Sequence, residues 1–353
     1  MNNIFYSKNS MRHLLSLLCP ILFLTSTLLA SLLLTGCAST TTPISKTGLY
    51  FDTVITITIY DTEKESCLDE CFALAEKYEN LFSPTIEGSD VWNINHSNGQ
   101  SVEVSDETTY LLETALSYCE LTNGHIDLTV NTVSELWDFH AAEAASVDNT
   151  SQTVISRIPD SEAITKAVSH VDYHNLIIEG NTVTLTEPEA SISLGFIAKG
   201  YIADQMKEYL ISQNVKSAII NLGGNLLAVG SKPDATPFQF GIQKPFDEQG
   251  TPITTVYVSD KSVVSSGVYE RYFYEDDILY HHILDPKTGY PVQNELLGVT
   301  ILSDSSTMGD ALSTTCLVLG LENGMKLIES LDGVEAIFIT DDYSLHYTTG
   351  IEP

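Results

Sequence analysis

Positive charge is what this chain has least of. Its 353 residues hold 16 Lys and Arg against 47 Asp and Glu, a formal net charge of −31. Such a surface repels a polyanion, which excludes nucleic acid as a partner. An anionic cofactor can still bind, but only in a locally positive pocket. Each Lys or Arg inside a motif is therefore informative. Cysteine is sparse too, at six. Cys67 and Cys71 fall on one face of an expected helix, a geometry that holds two thiols badly for a disulfide. Cys119 and Cys316 fall in other amphipathic helices. These four read as buried small hydrophobes, with no disulfide framework and no Cys-rich metal site. The chain also lacks internal repeats, a dinucleotide-binding glycine fingerprint and a P-loop.

What is present begins with an apolar run, Leu14 to Leu34, preceded by Lys8 and Arg12. It ends Leu34-Thr35-Gly36-Cys37, small residues before a cysteine, which resembles a bacterial lipobox. Residues 1–36 then read as a signal peptide. Cleavage before Cys37 and lipidation of its thiol would make a palmitate-bearing lipoprotein, anchored at the cell membrane and facing away from the cytoplasm. The alternative is an uncleaved anchor, since the run is about long enough to span. Residues 37–48, rich in Ser and Thr, read as a flexible tether. Residues 49–353 read as the globular part, and a chain that is 43% hydrophobic overall has the residues to build a core.

Within that part, Phe51 to Tyr60 alternates Thr and Ile as a strand does. Glu65 to Phe82 carries Leu68, Cys71, Phe72, Ala75, Tyr78 and Phe82 at helical spacing. A loop is expected from Ser83 to Asn98. Ser105 caps a helix that Gly124 ends. Residues 140–155 read as a loop or insertion, and Asp160 starts a further helix. Hairpins are expected around Glu179-Gly180-Asn181 and at Asp276-Asp277, and helices at Met308–Leu319 and Leu321–Leu331. Long helices with many antiparallel hairpins predict an α+β fold: mixed, mainly antiparallel sheets with long packed helices, in one lobe or two.

The stretch Ser191 to Asp204 organises the rest. Alternating residues, Gly195 and then helical period read as strand, tight turn and helix N-terminus. Gly195 and Gly200 would let the backbone approach a ligand, and free N–H groups would face an anion. Lys199 lies in the first turn, where it opposes the helix dipole, which makes sense if a phosphate or carboxylate sits between. An ordinary strand–helix junction reads the same way.

Two later stretches carry polar chemistry. His281 and His282 sit at a strand end on opposite faces, so only one can face a pocket. A general base and a histidine hydrogen-bonded into the hairpin are both open readings. Asp310 and Thr314 share one helix face. A carboxylate beside a hydroxyl suits Mg²⁺, and a carboxylate that merely stabilises a helix start gives the same spacing.

Taken in order, Gly124–Phe139, Ser193–Asp204, Asn221–Gly230, Ser265–Phe273, His282–Pro291 and Asp310–Gly320 resemble the ApbE family of FAD:protein FMN transferases. The resemblance implies a Mg²⁺-dependent enzyme that splits FAD at its pyrophosphate. FMN passes to a Thr or Ser hydroxyl of an acceptor protein and AMP leaves. Some members instead hydrolyse FAD to FMN and AMP. A flavin-carrying lipoprotein without catalysis is the reading from another class. The resemblance places Phe51, His125, Ile126, Asp127, Ser193, Lys199 and Leu284 at FAD and makes His282 the base. It puts Asp310, Thr314 and the Phe196 carbonyl on the metal. Phe51 stands where the family usually has Met, Ser193 where it has Asp, and Thr85 roughly where many transferases have Tyr.

Overall fold

The computed structural model describes residues 42–137, 139 and 157–351. The expected signal peptide, Cys37 and the expected loop 140–155 lie outside the described residues. The first strand, β1 (Ile44–Tyr50), pairs along its length with β2 (Thr53–Ile59). It begins inside the stretch read as tether. On the sheet face away from the core, Ser45 meets Thr58 and Thr47 meets Thr56, hydroxyl to hydroxyl, at 2.8 and 3.0 Å. These polar cross-strand pairs explain how a Ser/Thr-rich segment makes an edge strand. On the other face Ile55, Ile57 and Ile59 are fully buried, each side chain contributing roughly 1.5–3 kcal/mol.

Helix α1 (Ser66–Phe82) follows, with the expected apolar stripe buried, and Cys67 with it. Inside the expected loop is a short helix, α2 (Asp90–Asn95), whose first turn is capped by the Ser89 hydroxyl. Then come β3 (Ser101–Glu103), α3 (Asp106–Leu121) capped by Ser105, α4 (Asn131–Trp137), and α5 (Ser161–Val168) capped by Asp160. The hairpin of β4 (Leu176–Glu179) and β5 (Thr182–Leu185) turns at Gly180-Asn181 as read. The next long helix is α6 (Ala198–Ser212). The strands β6 (Ser217–Leu222), β7 (Asn225–Gly230), β8 (Phe238–Gln243), β9 (Pro252–Val258), β10 (Ser262–Gly267), β11 (Tyr272–Glu275), β12 (Ile278–His281) and β13 (Leu296–Ser303) come next. Helix α7 (Ser306–Ile328), β14 (Glu335–Thr340) and β15 (Leu345–Tyr347) complete the described fold.

One eight-stranded sheet has the order β1-β2-β6-β7-β10-β13-β14-β15, and every neighbouring pair is antiparallel. Helices α1 and α6 pack on one end of one face through Ile55, Ile57, Ala218 and Ile220. Helix α7 covers Val299, Ile301, Ala336 and Phe338 at the other end. The β8–β9 hairpin closes the opposite face over Ala228, Val263, Leu302 and Ile339. The α+β reading with mainly antiparallel sheets holds. The four described cysteines are free and buried, and burial pushes the Cys71, Cys119 and Cys316 thiols up to about 12.

Helix α7 bends where two helices were expected to abut. Gly320 lies at φ 77°, a left-handed conformation that breaks the helical ladder. The loop before β13 repairs the break. The Asn294 amide donates to the Leu317 carbonyl at 2.7 Å, and the Glu295 carboxylate accepts the Leu321 N–H at 2.9 Å. Each side chain satisfies a backbone group that the kink frees.

Candidate active site

The organising stretch departs from its sequence reading in an informative way. Ser191–Leu194 is not a strand. Its partners are side chains and a turn. Asn95 Oδ1 accepts the Ile192 N–H at 2.8 Å, and Asn95 Nδ2 donates to the Ile192 carbonyl at 3.0 Å. Thr132 Oγ1 accepts the Ser191 N–H, and the Leu128 carbonyl accepts the Ser193 N–H. Asn95 thus imitates a neighbouring strand and fixes the chain as it enters the 195–197 turn.

The two glycines serve different ends. Gly200 is a contact point between helices rather than a window for a ligand. A Cβ there would lie 2.2 Å from the Ser306 carbonyl oxygen and 2.7 Å from Thr307 Cα. Helices α6 and α7 therefore touch backbone to backbone. A Cβ on Gly195 would meet nothing closer than Ser193 Oγ at 3.4 Å.

That close approach puts Asp310 at the start of α6. Its Oδ2 accepts the Gly200 N–H at 2.9 Å, and Lys199 acts on the same carboxylate through its charge and its backbone N–H. The anion expected at this helix N-terminus is a side chain of the protein itself. Burial still holds the Asp310 carboxyl above the ordinary carboxylate range, against the pull of Lys199 and these N–H groups. A consequence follows for Phe196. The Gly200 N–H would ordinarily bond the carbonyl four residues back, which is Phe196. Because Asp310 takes that proton, the Phe196 carbonyl accepts no backbone hydrogen bond among the described residues.

Asp204, one turn along α6 from Gly200, locks the arrangement. Its carboxylate accepts the Ser306 and Thr307 N–H groups at 2.8 and 2.9 Å, and the Ser305 and Thr307 hydroxyls at 2.9 and 2.7 Å. It thereby satisfies the free N–H groups at the start of α7, the helix that carries Asp310 and Thr314. Thr314 is half-buried, and its hydroxyl lies 3.1 Å from Ser266 Oγ at the end of β10.

The two histidines diverge, as strand alternation requires. His281 points inward, 3% exposed, with Nε2 at 3.1 Å from the Val292 carbonyl. Burial pulls its pKa down to about 4. His282 is half-buried. Its backbone N–H donates to the Arg271 carbonyl at 3.1 Å, and its Nδ1 lies 3.3 Å from the same oxygen. With a proton on Nδ1 donated there, Nε2 keeps its lone pair. Burial first, then Arg271, His281 and Lys199, lower the His282 pKa to about 3. Lys199 therefore lies close enough to act on both His282 and Asp310.

The other expected site residues are placed as follows. Asp127 is buried, and its carboxylate accepts from Thr129 N, Thr129 Oγ1 and Tyr173 N at 2.8, 2.6 and 2.9 Å. Burial raises its pKa. These bonds hold the turn that presents Ile126, buried, and His125, exposed. Ser193 Oγ accepts the Gly195 N–H at 3.2 Å. Leu284 packs with Trp137, Ile164 and Phe273 and bridges to Pro291. Phe51 occupies the tight β1–β2 turn at φ 56°, and its N–H donates to Glu79 Oε1 at 2.7 Å. Among the described residues, no hydrogen bond or ring contact joins Phe51 to the Lys199–Asp310 cluster. Thr85 is exposed and its hydroxyl meets Ser83 Oγ.

A cavity of about 380 Å³ opens beside His125 and is walled by Asp285, Asn294, Glu295 and the bend of α7. A larger one, about 540 Å³, lies by Tyr110, Asp204 and Lys207 and is lined by none of the expected site residues. Sequence reasoning assigned no role to Asp204, Ser266, Asn95 or Arg271. Asp204, Ser266 and Arg271 fall inside the stretches that carry the family resemblance, and Asn95 falls inside the expected loop Ser83 to Asn98.

The ApbE family model matches residues 51–338. The chain belongs to the ApbE family. A FAD:protein FMN transferase of Treponema pallidum is 31% identical over 327 residues, covering 87% of each chain. One from Klebsiella pneumoniae is 34% identical over 281 residues, covering 78% of this chain and 83% of its own. The solved ApbE protein of Thermotoga maritima superposes with a TM-score of 0.77 at 28% identity, over 88% of this chain and 98% of that one. The flavinyl transferase ApbE of Pseudomonas stutzeri, in its apo form, gives 0.72 at 26% identity, over 87% and 95%. The ApbE match spans the strand β2, both long helices of the site and His282, so the geometry above belongs to the part of the chain that the family shares.

Proposed function

We propose that this chain transfers FMN from FAD to a Thr or Ser hydroxyl of an acceptor protein, with Mg²⁺, releasing AMP. The observation that carries the reading is the joint of α6 and α7. Asp310 caps α6, so the Phe196 carbonyl is left without a backbone partner among the described residues, and Thr314 stands one turn further along α7. Carboxylate, carbonyl and hydroxyl are three hard oxygen donors, the kind Mg²⁺ prefers, with the remaining positions left for phosphate and water. These residues fit the cation and would hold it. When bound, Mg²⁺ would polarise the pyrophosphate and stabilise negative charge on the leaving AMP.

The chain's own groups do the rest. Lys199 supplies positive charge beside the cluster in an otherwise acidic protein. His282 Nε2 takes the proton of the acceptor hydroxyl. The hydroxyl oxygen forms a bond to the FMN phosphorus as the bridging P–O bond breaks, and AMP departs with the electron pair. With a pKa near 3 the free enzyme's His282 is neutral and open to a proton. An anionic pyrophosphate beside Lys199 and Arg271 would offset the cations that lower that pKa and strengthen the base. Asp127 and the Ser191–Ser193 contacts hold His125, Ile126 and Ser193 where FAD would lie. Cys37 would carry the lipid that tethers the domain to the outer side of the cell membrane.

The test compares His282→Ala with His281→Ala. The first should lower the rate of flavin attachment roughly 10²–10⁴-fold. FAD affinity, read by fluorescence quenching, should change little, because proton transfer matters in the transition state. His281→Ala should be mild. A crippled His281→Ala with an active His282→Ala would reverse the assignment. Free FMN and AMP from the wild type, with no labelled acceptor, would instead mark an FAD pyrophosphatase.

A further inference from the structure

The Thr314 hydroxyl sits in a chain of hydroxyls whose direction can be worked out. Ser313 Oγ is fully buried and donates to the Asp310 carbonyl at 2.9 Å. A serine has one proton to give. Ser313 has given its proton to a carbonyl, which can only accept. Toward Ser266, 2.7 Å away, it must therefore act as acceptor. Ser266 then spends its own proton on Ser313. Toward Thr314 Oγ1, 3.1 Å away, Ser266 can only accept. The Thr314 proton is thus drawn toward Ser266, away from the site, and the Thr314 lone pairs are turned outward. A hydroxyl that binds a cation must present a lone pair and send its proton elsewhere.

We infer that Ser266 and Ser313 are positioning residues: their relay, anchored on the Asp310 carbonyl, orients the Thr314 hydroxyl as an oxygen donor to a divalent cation. This rests on the metal reading of Asp310 and Thr314. The relay couples two elements. Ser266 lies next to the end of β10, Ser313 and Thr314 lie on α7, and the terminal acceptor is the backbone carbonyl of Asp310, also on α7. Ser265 is the natural control. It is adjacent in β10, faces the other side of the sheet and pairs with Thr300 Oγ1 at 2.8 Å. Its loss removes a comparable hydrogen bond without touching the relay.

The experiment titrates the full chain, in detergent, with Mn²⁺ alone and reads free metal by electron paramagnetic resonance. No flavin or turnover is needed. Ser266→Ala should weaken Mn²⁺ binding about 10–100-fold, the usual cost of losing an outer-sphere partner. Ser265→Ala should leave it unchanged. In the Thr314→Val background Ser266→Ala should cost nothing more, because the hydroxyl it orients is gone. Ser266→Thr, which keeps a hydroxyl, should recover most of the affinity. If Ser266→Ala fails to fold, Ser313→Ala carries the same expectation. Wild-type affinity in Ser266→Ala, an equal loss in Ser265→Ala, or a full additional loss on top of Thr314→Val would each overturn the relay. A wild-type chain that binds no Mn²⁺, or an Asp310→Asn variant that binds it as the wild type does, would overturn the metal site itself and the relay with it.

Discussion

Replacing Gly200 by alanine tests the joint on which the site depends. The added methyl would lie 2.2 Å from the Ser306 oxygen, 2.6 Å from its carbonyl carbon and 2.7 Å from Thr307 Cα. These are backbone atoms of the first turn of α7, so no side chain can swing aside. Either α7 moves or α6 does. Overpacking of this kind costs about 1–3 kcal/mol. Separating the helices also stretches the Gly200 N–H bond to the buried Asp310 carboxylate, and a hydrogen bond to a charged group contributes about 1.5–3 kcal/mol. Against this, alanine gains about 1 kcal/mol of helix propensity over glycine. The net expectation is a loss of about 1.5–5 kcal/mol. Urea unfolding followed by the fluorescence of Trp92 and Trp137 reads it as a lower midpoint. Gly195→Ala, whose Cβ has room, should stay within about 0.5 kcal/mol of wild type. A Gly200→Ala protein that unfolds at the wild-type midpoint would refute the close-contact argument.

Three further outcomes follow from the same geometry. Asp204→Ala removes four hydrogen bonds at the start of α7 and should destabilise the fold by about 2–4 kcal/mol, measured by thermal or urea unfolding. His281 should make stability pH-dependent: its folded pKa of about 4 lies below the ordinary 6.5. The unfolded chain then binds the proton first, and stability present above pH 6.5 is lost as pH falls toward 4. The full shift corresponds to about 3 kcal/mol, and His281→Gln should flatten that part of the pH profile, whereas an unchanged profile would show that His281 does not titrate this way. Truncation before Thr47 deletes the pairs of Ile44, Ser45 and Lys46 with β2 and the Lys46–Asp69 ion pair; it should lower the melting temperature, while truncation before Thr42 should not.

Much of this site could be read from residue order, and the parts that could not share a cause. The helices around Leu68–Phe82 and Ser105–Leu121 and the hairpin turns declare themselves through period, caps and turn residues. The break at Gly320 did so as well, because a glycine with helical residues on both sides is a local signal. Strand β13 was missed. It is buried on both faces inside the sheet, so it lacks the polar alternation that marked β2. Strand β1 was hidden because the outward residues of its first half are Ser45 and Thr47, types that also compose tethers. The role of Gly200 was misread because the local sequence cannot say which object approaches a glycine. Here it is the backbone of a helix about a hundred residues away in the chain. Asp204 and Ser266 act only through α7, so their roles appear once the long-range pairing of α6, β10 and α7 is known.

The central claim is that the Asp310 cluster makes acceptor flavinylation depend on a divalent cation. It is tested most directly by incubating wild type and Asp310→Asn with FAD, Mg²⁺ and an acceptor protein. Flavin fluorescence on the acceptor is then read in a denaturing gel, and AMP is measured in parallel. Wild type should label the acceptor and release AMP in step, chelation with EDTA should abolish both, and Asp310→Asn should give neither while remaining folded. Full labelling by Asp310→Asn, or labelling by the wild type that survives chelation, would contradict the account.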